Sequence, residues 1–95
     1  MEIKKEWAAQ ETDAKAVETW NKMQFRNKAE AALALFVMAP EMIQYKVVKE
    51  VNHRWPNSGG NLTPQRLSQT VRSNLNAKRV KEAYDRKKKE NKMLE

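Results

Sequence analysis

The chain is predicted to be all-α, a small helical domain of four to five helices with a helix-turn-helix-like C-terminal part. Three observations predict it. Apolar residues recur at three- and four-residue steps along most of the sequence, and no stretch keeps the two-residue alternation of a half-buried strand. Glycine occurs only as the adjacent pair Gly59-Gly60 and proline only three times, so little in the chain interrupts a helix. Cap residues stand where helices would begin, most plainly Thr63 followed by Pro64. At 95 residues the chain makes one domain, in which residues 12–39 read as scaffold helices and residues 40–92 as a basic helix-turn-helix-like region.

Residues 2–11 are polar around a lone Trp7 and read as a weakly held helical lead-in. Thr12 and Asp13 can cap a first helix reaching about Asn27, with Ala16, Val17, Trp20 and Met23 on its apolar side. Asn27 and Glu30 have capping-box spacing, so the chain either breaks there or continues as one helix to Met38. Residues 29–39 are nearly all apolar, Leu33 and Phe36 among them, and a helix apolar on every side is buried on every side. That burial is at the centre of the fold or between subunits. Pro40 closes this helix and fits the first turn of a third, about Glu41 to His53, with Ile43, Val47 and Val51 at four-residue steps. Trp55 continues that row and is expected to plug the bottom of the core. Residues 55–61 gather Pro56, Asn57, Ser58, Gly59, Gly60 and Asn61, the one dense cluster of turn formers. A fourth helix then runs from Pro64 to Leu75, and Asn74 or Asn76 caps a fifth from Ala77 to about Lys89.

Surplus positive charge sits at one end. Residues 63–95 hold ten Lys and Arg against four Asp and Glu, whereas residues 1–62 hold nine against eight. Such an imbalance is the electrostatic footprint of contact with nucleic acid or another polyanion. On the fourth helix Leu67, Val71 and Leu75 fall within an arc of about 80°. Gln65, Gln69 and Arg72 lie opposite, flanked by Arg66, Ser68 and Ser73, and no acid shares that face. Glutamine can pair bidentately with adenine and arginine with guanine in the major groove of double-stranded DNA. Lys78, Arg79 and Lys81, then Arg86, Lys87 and Lys88, suit the phosphate backbone. The competing account is an ordinary solvated face, but such faces usually mix signs.

The string Leu67-Ser68-Gln69-Thr70-Val71-Arg72-Ser73-Asn74-Leu75, followed by Asn76 and Arg79-Val80-Lys81-Glu82-Ala83-Tyr84, resembles the end of the DNA-binding region of small terminase subunits of tailed phages. In that family a helix ending in an Arg-Ser-Asn-like segment leads into Asn-Pro-x-Val-Lys-Glu-Ala at the start of the next. The resemblance covers about residues 63–86. It implies a helix-turn-helix module that selects viral DNA for genome packaging, a homo-oligomeric ring, and a large ATP-hydrolysing terminase subunit as partner. Where the family has an Ala-Gly-Tyr-like turn before the recognition helix, this chain has Trp55-Pro56-Asn57-Ser58-Gly59-Gly60. It also shows no separate C-terminal oligomerisation segment, which leaves residues 13–39 to fill that role.

Other functions find little support. His53 is the lone histidine, cysteine is absent, and Glu50 with His53 gives one Glu-x-x-His where a di-iron bundle needs two. Gly59-Gly60 lacks the Lys-Ser/Thr of a phosphate-binding loop, and Ser68 and Ser73 have no base in sequence. The expectation is therefore no enzyme, no cofactor and no metal. No apolar run follows Lys4-Lys5, and the apolar stretch of residues 31–39 is too short to span a bilayer. The chain is expected to be soluble and cytoplasmic, in the host cytoplasm if phage-encoded, with no membrane partner. A small domain without disulfides gains from oligomerisation. Trp7 and Trp20, on otherwise polar stretches, are the expected subunit contacts together with Leu33 and Phe36. A helical adaptor binding another protein through residues 28–39 is the alternative function. RNA binding ranks behind both, because only Tyr84 interleaves the basic segment.

Overall fold

The computed structural model describes residues 3–56 and 62–90, with side chains through Lys88. The turn residues 57–61, including Gly59-Gly60, and Lys92 lie outside the described residues. Five helices form among the described residues and no strand: α1 Asp13–Asn21, α2 Lys28–Met38, α3 Gln44–Arg54, α4 Pro64–Ser73 and α5 Lys78–Glu90. All four other helices pack on α2, and α3 also packs on α4. That arrangement follows from composition, since only α2 is apolar around its whole circumference. Every residue from Glu30 to Ala39 is buried.

The predicted caps Thr12, Asn27 and Thr63 are in place, whereas α5 begins at Lys78 directly after Ala77, so neither Asn74 nor Asn76 stands at its N-cap position and Asn74 caps the end of α4 instead. Thr12 Oγ1 accepts from Lys15 N at 3.1 Å, Asn27 Oδ1 from Glu30 N at 2.8 Å, and Thr63 Oγ1 from Arg66 N at 3.2 Å. Each satisfies one of the amide groups that a helix leaves open at its start. The Asn27 cap decides between one long helix and two, because an N-cap residue must be extended and Asn27 has φ −159° and ψ 173°. Glu30 reaches back to Arg26 N at 3.5 Å, one residue earlier than a capping box requires.

Three helix boundaries differ from expectation by two residues or more. Helix α1 stops at Asn21 instead of Asn27, because Arg54 takes up the carbonyls of Trp20 and Met23 and Phe25 turns inward. Helix α3 begins at Gln44 instead of Glu41, whose backbone N–H donates instead to Asp13 Oδ1 at 2.9 Å. Helix α4 ends at Ser73, where Asn74 caps its C-terminus and donates its side-chain amide to Thr70 O at 2.7 Å. The expected helical lead-in is no helix. Residues 3–12 form a strap anchored by Gln10 N on Met38 O at 2.8 Å and by Trp7 in the core.

The strap also removes the expected subunit contacts. Trp7 and Trp20 are 1% and 0% exposed, and Leu33 and Phe36 are 0% and 1%. Trp20 Nε1–H donates to Ala31 O at 2.9 Å inside this core. All four residues are consumed within one chain and offer no surface to a second copy. Polar sequence neighbours hide this burial because Trp7 meets Phe25 and Trp20 meets Trp55, rings that come from a connection and a helix end distant in sequence from each.

Candidate nucleic-acid interface

Helix α4 is held from behind. Leu67 and Val71 are fully buried and Leu75 is half-buried beyond the helix end. The entry to the helix is fixed by Asn52 of α3. Its amide mimics a strand partner for Leu62, accepting from Leu62 N and donating to Leu62 O, both at 2.9 Å. With its inner face and its start both tied down, α4 presents Gln65, Arg66, Gln69, Arg72 and Ser73 to solvent, while Ser68 is half-buried. None of the exposed side chains on this face is acidic. No ion pair or hydrogen bond engages the Arg72 guanidinium among the described residues. Preorganised backbone with unpaired polar side chains is what base-edge reading requires.

Helix α5 distributes its cations unevenly. Arg79 donates from Nη1 to the carbonyls of Lys4 and Lys5, each at 2.9 Å, and thereby ties the strap to α5. Arg86 lies on the same side, next to Ala8 and Ala9. Lys81 pairs with Asp85 at 2.9 Å on the exposed surface, and Lys78 is exposed. Lys88 is exposed near Tyr84, its ammonium 5.8 Å from the ring centroid. A single docked backbone cannot touch both sides of one helix equally. Lys88 is the α5 cation that shares its surroundings with Ser68 and Arg72 of α4, and exposed Lys78 opens α5 four residues after Asn74.

Lys87 does not belong to this set. It is buried, with its ammonium 4.3 Å from the Phe36 ring centroid and donating to Met42 O at 2.7 Å. Val80, Ala83, Tyr84 and Lys87 follow the i, i+3, i+4, i+7 spacing of an inward stripe, so the fourth position inward is a lysine whose stem packs while its head finds an acceptor. Burial lowers its pKa from 10.5 to about 7, opposed by the charge of Asp13 and reinforced by Arg86. The unfolded chain then holds a proton between about pH 7 and pH 10 that the folded chain has released, so stability rises with pH across that window. Below it both states are protonated and the cost of the buried charge is present in full. The expected slope approaches ~1 kcal/mol per pH unit at its steepest. Urea midpoints of the protein and of Lys87→Met, compared across the window, should converge as pH rises. A difference independent of pH would contradict the assignment.

Between the start of α3, the side of α4 from Pro64 to Arg72 and the end of α5 lies a groove of about 700 Å³. Phe36 forms part of its lining, with Tyr45, Tyr84, Ser68, Arg72, Lys87 and Lys88 around it. Sequence reasoning missed this groove, because Tyr45 and Gln44 enter it from a helix read only for its apolar row. It also missed Arg54, which lies 4.9, 5.6 and 4.3 Å from the ring centroids of Trp20, Phe25 and Trp55. Among the described residues no group of three His, Cys, Asp or Glu could hold a metal ion, and no helix is long and apolar enough to cross a membrane. Comparison with protein-family models, with curated proteins and with solved structures returned no match.

Proposed function

We propose that the chain is a non-catalytic DNA-binding protein that lays the outer face of α4 along duplex DNA. The observation that carries this reading is the exposed, acid-free surface of Gln65, Arg66, Gln69 and Arg72 on a helix anchored by buried Leu67 and Val71. Helices α4 and α5 are joined by four residues, 74–77, a length that suits a helix-turn-helix connection. The resemblance of residues 63–86 to small terminase subunits supports a more specific role, recognising viral DNA and passing it to a large ATP-hydrolysing subunit. Contacts between copies in such an assembly would use surfaces other than Trp7, Trp20, Leu33 and Phe36. The adaptor alternative is disfavoured, since Glu30 to Met38 of α2 are buried and expose no apolar face to a partner.

Fluorescence anisotropy on duplex DNA at two salt concentrations tests the reading. Gln69→Ala or Arg72→Ala should cost about 1–3 kcal/mol on a preferred site and relax sequence preference. Neutralising Lys78 or Lys88 should weaken binding to every sequence and reduce the salt slope by about one unit per lost phosphate contact. Absence of duplex binding at low salt, or binding indifferent to loss of both Arg72 and Lys88, would end this proposal.

A further inference from the structure

The groove beside α4 has a chemistry that duplex reading leaves unused. Tyr45 is 67% exposed, the one large hydrophobic side chain so exposed among the described residues. It stands on the first turn of α3, and the half-buried Tyr84 lines the same groove. The charged groups of the lining are Arg72, Lys87 and Lys88, with no carboxylate among them. Lys87 is committed to Met42 O and the Phe36 ring, which leaves Arg72 and Lys88 to meet an anion. Ser68 and Gln44 add hydrogen-bonding groups to the same lining. The volume lies within the range of roughly 300–1,000 Å³ typical of small-molecule sites. Base pairs inside a duplex keep their faces stacked on one another, so tyrosine rings paired with cations suit a nucleotide whose base is unstacked.

We infer that this groove seats an unpaired nucleotide of a DNA strand, its base against Tyr45 and Tyr84 and its phosphate between Arg72 and Lys88. The inference deepens the duplex-binding reading and rests on it for the approach of DNA along α4. Arg72 then stands at the boundary of two contacts, one with paired and one with unpaired strand. An acidic peptide would satisfy the cations but leave the exposed ring unused.

Anisotropy titrations with a blunt duplex, the same duplex bearing a short single-stranded overhang, and the single strand alone provide the test, with polyglutamate as competitor. The overhang should tighten binding roughly tenfold over the blunt duplex, the scale of one base stacked on an aromatic ring. Tyr45→Ala should erase that advantage and Tyr45→Phe should keep it, whereas Gln69→Ala should weaken the blunt and overhang duplexes alike. Tyr45 is exposed, so its replacement leaves the core intact. Equal affinity for blunt and overhang duplexes would overturn the groove assignment while sparing the duplex reading. Single-strand binding that depends on Tyr45, without duplex binding, would support the groove and end the duplex reading. An advantage that survives Tyr45→Ala, or polyglutamate displacing the single strand as well as DNA does, would also overturn it.

Discussion

Leu33→Asp is expected to unfold the domain. Leu33 is fully buried on α2, the helix on which α1, α3, α4 and α5 all pack. Truncating such a leucine to alanine costs about 2–5 kcal/mol through lost burial and the cavity left behind. An aspartate adds the penalty of an uncompensated charge in an apolar site, several kcal/mol more. Single domains are stable by only about 5–15 kcal/mol, so the sum consumes most or all of the margin. Helical circular dichroism of Leu33→Asp should resemble that of the urea-unfolded chain, while Leu33→Ala stays folded with a lowered urea midpoint. A helical Leu33→Asp with an unchanged midpoint would show that α2 is not the centre of the fold.

Arg54→Met should cost about 3 kcal/mol, the largest loss expected from any single polar side chain here. The guanidinium donates from Nη1 to Trp20 O at 2.8 Å and from Nη2 to Met23 O at 2.6 Å. Trp20 O belongs to the last turn of α1, and Met23 O lies in the connection just after it, so the fork of Arg54 clamps the end of α1 to the chain that leaves it. The Trp55 ring, 4.3 Å from the guanidinium carbon, adds a cation–π contact. Lysine keeps the charge but is a point donor that cannot span two carbonyls, so Arg54→Lys should recover less than half of the loss. For a domain of this size the expected fall in Tm is about 4–8 °C per kcal/mol. Thermal unfolding followed by tryptophan fluorescence reads it directly, since Trp20 and Trp55 lie in contact with the substituted side chain. Wild-type stability in Arg54→Lys would mean that charge alone, and not the planar fork, holds the end of α1.

The helices were legible because their signals are local. Thr12, Asn27 and Thr63 each accept from the amide three residues on, and the apolar content of residues 31–39 dictates burial whatever packs against it. The exposed face of α4 was legible for the same reason, since Leu67 and Val71 fix which side turns inward. What failed depends on distant residues. Nothing near Trp7 in sequence says that Phe25 will meet its ring, nor does anything near Arg54 announce Trp20 and Met23 as its acceptors. Lys87 is a different case. Its spacing from Val80 already placed it on the inner stripe, but the run Arg86-Lys87-Lys88 invited a reading by charge and hid a reading by position.

The central place of α2 has a consequence for how the chain acquires its structure. α2 is made before α4 and α5, which cover part of it. Until they emerge, a nascent chain ending before Pro64 carries a fully apolar helix with part of its circumference bare. Such intermediates are prone to associate with one another. The strap is completed in the same way: Arg79 binds the carbonyls of Lys4 and Lys5 across more than seventy intervening residues, so this tie, unlike those of Gln10 and Trp7, forms only when α5 exists. Fragments lacking α5 should therefore be recovered as aggregates in place of smaller folded units.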